Sequence, residues 1–229
     1  SKEMRLEFND ALLDVENDPE IKALVITGGE YVFSAGMDIK EMSLLSNVEI
    51  DDYFESMKRY LKKIYTFPKP VIAAVGGIAL GGGSNIVTVC DLIIASESAI
   101  FCHPELKFGF SPLFYPLSQI VGVNKAKEIT MLGEPIGARE AERIGLVNKV
   151  APPEKFMQEA EKVAQTLSMR SAKVIEELKN ICAVVPRMDK IAALDMELSI
   201  SGMLFARDER KIHMNEELFL KKLRKKKQN

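Results

Sequence analysis

The sequence lacks any apolar run approaching the roughly 18 residues that a membrane-spanning helix requires, and its start lacks the pattern of a secretory leader. No membrane partner is therefore expected. Basic residues are not in excess either: 31 Lys and Arg stand against 33 Asp and Glu, leaving a net charge of −2. Domains that bind nucleic acid usually present a basic face, so nucleic acid is excluded as a main partner. Cysteine is scarce. Cys90, Cys102 and Cys182 are odd in number and widely spaced, with no C-x-x-C pair. Cys90 and Cys102 sit among apolar residues and read as buried reduced thiols, which points to a reducing compartment, most simply the cytoplasm. Histidine is scarcer still. His103 and His213, without a convergent Cys or Asp pattern, give no metal-site signal. Internal repeats and long linkers are also missing.

What is present is a chain of 229 residues, 47% hydrophobic and 28% charged, enough for one good core with a small appended element. Leu6, Leu12, Leu13 and Val15 among acidic and amide residues predict an amphipathic opening helix that stops near Asn17-Asp18-Pro19. KALVIT (Lys22 to Thr27), closed by Gly28-Gly29, predicts a buried strand and a turn. Val71 to Val75 and Leu92 to Ala95 repeat that signature, and Asp51 to Tyr65, between the first two of these strands, is helical, with Tyr53, Met57, Tyr60, Leu61 and Ile64 on one face. Strands alternating with helices predict an α/β fold with a mainly parallel sheet. After about Lys125 helices follow one another: Lys125 to Leu132, Ala138 to Ile144, Pro153 to Leu167, Ala172 to Val184, Asp189 to Phe205, and Asp208 to Leu223. The expected division is a β/α core over residues 1–124 and a helical region over 125–229.

The richest stretch runs from Phe67 to Glu105: a buried strand, the cluster Gly81-Gly82-Gly83-Ser84, a short helix, a second strand, then a lone carboxylate. As a phosphate loop the cluster fails, because Gly77-x-x-x-x-Gly82 is followed by Gly83-Ser84 and the required lysine is missing. The dinucleotide spacing G-x-G-x-x-G fails at Ile86. Two readings stay open: a structural turn between strand and helix, or a turn that lets a backbone N–H at a helix N-terminus approach a carbonyl oxygen where negative charge develops.

Together with FSAGMDIKEM (Phe33 to Met42), this stretch resembles the crotonase family, the enoyl-CoA hydratases and isomerases. The resemblance covers nearly the whole chain from residue 5. It implies a crotonase-like β/α (ββα spiral) core with a helical C-terminal trimerisation region, acting on an acyl-CoA thioester as a homotrimer or dimer of trimers. No cofactor is implied beyond the CoA of the substrate. It also implies an oxyanion hole from the Met37 and Gly82 amides, CoA contacts from Ser34, Ala35, Asp38 and Ile39, and a catalytic acid/base at Glu105. Family members usually begin with paired strands before their first helix, whereas these residues start almost directly with the helix. The basic run KKLRKKK reads as a solvated tail, with contact to CoA phosphate as the other reading.

Two departures from the family pattern bear on the reaction. The family's hydratases carry a second glutamate just after the glycine cluster, and that position is Asn85, which cannot exchange a proton near neutral pH. Some isomerases and hydrolases carry an aspartate eight positions beyond the residue matching Glu105, and here that is Leu113. The segment Leu113, Phe114 and Tyr115 either lines an acyl pocket or packs the core. His103 is either a structural histidine or, if the backbone is extended there, a partner pointing to the same face as Glu105. With one carboxylate, the expected reaction is enoyl-CoA double-bond isomerisation. Enoyl-CoA hydration is the alternative, with Asn85 or His103 holding water, and a non-catalytic acyl-CoA-binding scaffold is the reading of another class.

Overall fold

A computed structural model describes residues 1–206. In chain order it has α1 (Lys2–Asn17), β1 (Leu24–Thr27), β2 (Val32–Ser34), α2 (Ile39–Leu44), α3 (Asn47–Tyr65), β3 (Val71–Val75) and β4 (Ile78–Leu80). There follow α4 (Gly82–Thr88), β5 (Leu92–Ser96), β6 (Ile100–Cys102), a 3-10 turn (Glu105–Phe108), α5 (Phe114–Val121) and α6 (Val123–Leu132). The remainder comprises β7 (Ile136–Gly137), α7 (Ala138–Arg143), β8 (Lys149–Ala151), α8 (Phe156–Ser168), α9 (Ala172–Val184) and α10 (Lys190–Ala206). The expected helix over 208–223, with His213 and the basic run, lies outside the described residues.

The strands form two sheets of four, ordered β1-β3-β5-β8 and β2-β4-β6-β7. The first is parallel throughout, and the second is parallel except where β7 meets β6. Each strand pair, β1/β2, β3/β4 and β5/β6, sends its first strand to one sheet and its second to the other before a helix returns the chain. This is the expected spiral, built with one sheet more than the alternation of strands and helices predicts.

β3 shows why the fold closes. All five of its residues are buried, because the strand is covered on both faces. Val71, Ala73 and Val75 enter the larger core with Phe67, Phe101 and Leu117, while Ile72 and Ala74 face Ile94, Phe156 and Ala160 beneath α8. Each large side chain among them contributes about 1.5–3 kcal/mol relative to exposure. The chain divides into two compact units at Ala172/Lys173, so the expected junction near residue 125 lies inside the first unit. The reason is packing: α6, α7 and α8 contribute Ala126, Ile129, Ala141 and Phe156 to the two cores of that unit. In the second unit α10 exposes Ile191, Leu194, Leu198, Met203 and Phe205 and buries Ala193.

Candidate active site

Three turns of chain, one from each strand pair, meet at the glycine cluster. After β2 the chain passes Gly36 (φ +91°), a left-handed conformation that suits glycine, into α2. Asp38 caps α2, accepting from the Lys40 and Glu41 backbone N–H groups at 2.9 and 3.1 Å. The Glu41 and then the Lys40 amide hold its carboxyl below the usual range. After β4 the chain turns at Gly81 (φ +49°) into α4. Gly81 N–H donates to the Cys102 carbonyl at 2.9 Å. The single O–H of buried Ser84 is shared between the carbonyls of Ala79 (2.7 Å) and Cys102 (2.9 Å), which ties α4 to β4 and β6.

These turns bring the two expected amide segments together. A Cβ built on Gly82 would stand 3.5 Å from Gly36 Cα and 3.7 Å from Met37 N, and one on Gly36 only 3.1 Å from Gly82 N. Glu105 comes to the same place from the third turn: a Cβ on Gly81 would stand 3.7 Å from its Oε1. Glu105 is buried, at 6% exposure, and its Oε2 has no hydrogen-bond partner among the described residues. Asn85, one helical turn beyond Gly81, bonds its N–H to the Gly81 carbonyl at 2.9 Å. Its side-chain Oδ1 is likewise buried and without a partner among the described residues.

His103 is 3% exposed, with Nδ1 at 3.4 Å from Glu105 Oε1. The two side chains meet, though the backbone between them is not extended. Pro104 (φ −82°, ψ 6°) turns the chain into the 3-10 turn, which curls Glu105 back towards the histidine.

A cavity of about 690 Å³ opens beside the amides. Ser34, Ala35, Met37, Asp38 and Gly82 line it. Ile39 is exposed at the start of α2 and, like Glu105, Asn85 and His103, lies outside this lining. Leu113, Phe114 and Tyr115 do not line it either: Leu113 and Phe114 pack against the main core, and Tyr115 is largely exposed. The rest of the lining includes residues that the sequence did not assign to a site, among them Arg5 and Phe8 of α1 and Tyr53 and Tyr60 of α3. The Arg5 guanidinium lies 3.6 Å over the Tyr53 ring. Burial pushes the Tyr60 hydroxyl up to about 12. The one trace in the sequence is spacing: Arg5 falls on the same helix face as Phe8, Leu12 and Val15, which does not by itself tell a cavity from a core.

A sequence model of the enoyl-CoA hydratase/isomerase family matches residues 1–228. The chain belongs to this family. A crotonyl-CoA hydratase of Syntrophomonas wolfei is 36% identical over 215 residues, 92% of this chain and 83% of that protein. A short-chain-enoyl-CoA hydratase of Clostridium acetobutylicum is 36% identical over 202 residues, covering 86% of this chain and 77% of its own length. Among solved structures, an enoyl-CoA hydratase from Bacillus anthracis superimposes with a TM-score of 0.89 at 26% identity, over 97% of this chain and 87% of that one. The chain is thus an enzyme of the enoyl-CoA hydratase/isomerase family, and it shares the fold of that hydratase over nearly all of its length. No helix among those residues is long and apolar enough to cross a membrane.

Proposed function

We propose that Glu105 is the single acid/base of an enoyl-CoA enzyme whose thioester oxygen is held by the Met37 and Gly82 amides. The observation that carries this reading is the convergence at the glycine cluster: Gly82 adjoins Met37, and Gly81 adjoins the Glu105 carboxylate. Taking a proton from the carbon beside a thioester places negative charge on the carbonyl oxygen. Two fixed N–H donors stabilise that charge, and loss of one such donor typically costs ~10²–10³ in rate. A double-bond shift follows with no further group: Glu105 takes the proton from C2 and returns it at C4. Ser34, Ala35 and Asp38 line the cavity on the Met37 side, which supports CoA contacts there.

Hydration is the second reading, and two observations favour it. The relatives described above are named hydratases. Asn85 also keeps a buried Oδ1 free to accept from a water molecule, which would add its oxygen at C3 while C2 gains a proton. The test is turnover of a 3-enoyl-CoA and of crotonyl-CoA by the wild type, Glu105→Gln and Asn85→Glu. Glu105→Gln should lower rate at least ~10²-fold with CoA-ester affinity nearly unchanged. The isomerase reading expects the 3-enoyl-CoA to be the better wild-type substrate and Asn85→Glu to raise hydration. Efficient crotonyl-CoA hydration by the wild type overturns the isomerase preference, and near-normal turnover by Glu105→Gln overturns the assignment of the base.

The apolar residues exposed on α10 support assembly as a homotrimer or dimer of trimers, in which that helix is covered by a neighbouring subunit. Cys90, Cys102 and Cys182 are all free, which suits a reducing compartment.

A further inference from the structure

One buried partner of the proposed base is not used by the mechanism above. His103 and Glu105 are both more than nine-tenths buried, and Nδ1 of the first lies 3.4 Å from Oε1 of the second. The carboxylate's other oxygen, Oε2, is without a partner among the described residues. A buried carboxylate left to itself is poorly oriented and poorly solvated, and a donor on one oxygen corrects both faults. Carboxylate oxygens only accept, so a contact of this kind requires the imidazole to carry its proton on Nδ1.

The backbone around the pair is held from several directions. Lys107 N–H donates to the Pro104 carbonyl at 2.9 Å and Phe110 N–H to the Glu105 carbonyl at 3.0 Å, closing the turn that returns Glu105 to the histidine. Gly133, the left-handed residue ending α6 (φ +61°), packs against the same segment: a Cβ there would stand 3.1 Å from the His103 carbonyl oxygen. Cys102 Sγ–H donates to the Gly133 carbonyl at 3.3 Å. Nearby Lys107 is paired with Glu134 at 3.0 Å on the exposed side, away from competition for Glu105.

We propose that His103 is a positioning residue: its Nδ1–H engages Oε1 of Glu105 and fixes the plane of the carboxylate beside the glycine cluster. This rests on Glu105 being the base. A group that orients a general base governs how often the base is productively aimed, and leaves the binding of the CoA ester to other residues.

The test compares His103→Leu, which keeps the volume and loses the donor, with His103→Gln, which supplies an N–H from a side chain of similar length. His103→Leu should lower kcat about 10-fold, a part of the ~10² or more carried by the base itself. KM and the affinity for a non-reacting CoA thioester should stay within about twofold, and His103→Gln should recover kcat to within about threefold of wild type. Equal kcat in all three proteins, in an enzyme that Glu105→Gln inactivates, overturns the positioning role and leaves the base in place. Full turnover by Glu105→Gln overturns the base, and the positioning role with it. A second measurement needs no folded histidine variant. The chain has only two histidines, so nitrogen NMR of imidazole-labelled protein shows two rings. The His103 ring should carry a proton on Nδ1 and should change on Glu105→Gln; a proton on Nε2 alone overturns the proposal.

Discussion

Replacing Gly83 with alanine should destabilise the protein, whereas the same change one residue earlier should spare stability and damage turnover. A Cβ on Gly83 would lie 2.2 Å from the Ser34 carbonyl oxygen and 2.8 Å from Ser34 Cβ. The first contact is roughly 1 Å shorter than two such atoms tolerate, and both sides of it are backbone, in α4 and β2. Alanine in a helix gains up to about 1 kcal/mol over glycine. Overpacking of a closed core costs about 1–3 kcal/mol and more when backbone must move. The net loss should therefore be about 2 kcal/mol, and for a chain of this size Tm should fall by roughly 4–8 °C. On Gly82 the added Cβ meets nothing closer than 3.5 Å, so Tm should change by no more than about 2 °C. That methyl would nonetheless stand 3.7 Å from Met37 N, beside the space a thioester oxygen must enter to reach both amides. The expected result for Gly82→Ala is a kcat about 10²-fold lower. Thermal unfolding and steady-state turnover of the two variants, measured side by side, decide the matter. A Gly83→Ala protein as stable as wild type would refute the packing argument, and a fully active Gly82→Ala protein would refute the placement of the oxyanion.

Glu159 provides a test by pH. Hydrogen bonds from Lys149 and then Lys162 hold its carboxyl down at about 2, against 4.5 ordinarily. Because the folded value is the lower one, its stabilisation is complete above about 4.5 and is lost as pH falls towards 2. Tm measured across that window should fall less steeply in Glu159→Gln than in wild type, and parallel curves would count against the pairing. Assembly is checked by light scattering at micromolar concentration, where a trimer or hexamer of the 25.5 kDa chain is expected and a stable monomer would contradict the covering of α10.

The elements legible in the sequence were those long or apolar enough to carry a period. VIAAV at 71–75 is recovered residue for residue, and the helix expected over Ala172 to Val184 has those bounds. The second sheet was not legible. β2, β4 and β6 have three residues each and are partly exposed at their outer ends, so neither alternation nor a continuous apolar run can emerge. α5 was hidden differently: PLFYPL reads as an irregular apolar segment because Pro116 interrupts it, yet a proline in the first turn of a helix is tolerated. For the site, the glycine cluster, SAGMDI and Glu105 were legible through their resemblance to a known family. The Arg5 and Tyr53 wall was not. It is assembled by α1 and α3, whose inward faces look alike whether they meet a core or a cavity.

The close approach of Ser34 to Gly83, and of Gly36 to the Leu80 carbonyl and the Gly82 amide, has a consequence for how such an enzyme can diversify. The two amides are spaced by main chain pressed on main chain between successive turns of the spiral, with no side chain acting as the spacer. On the proposed placement of the thioester, the spacing of the two donors is thereby separable from the side chains that line the cavity. Arg5, Phe8, Tyr53 and Ile86 of the cavity lining can be exchanged without entering that main-chain contact, whereas one methyl group at Gly83 presses directly on the Ser34 carbonyl oxygen.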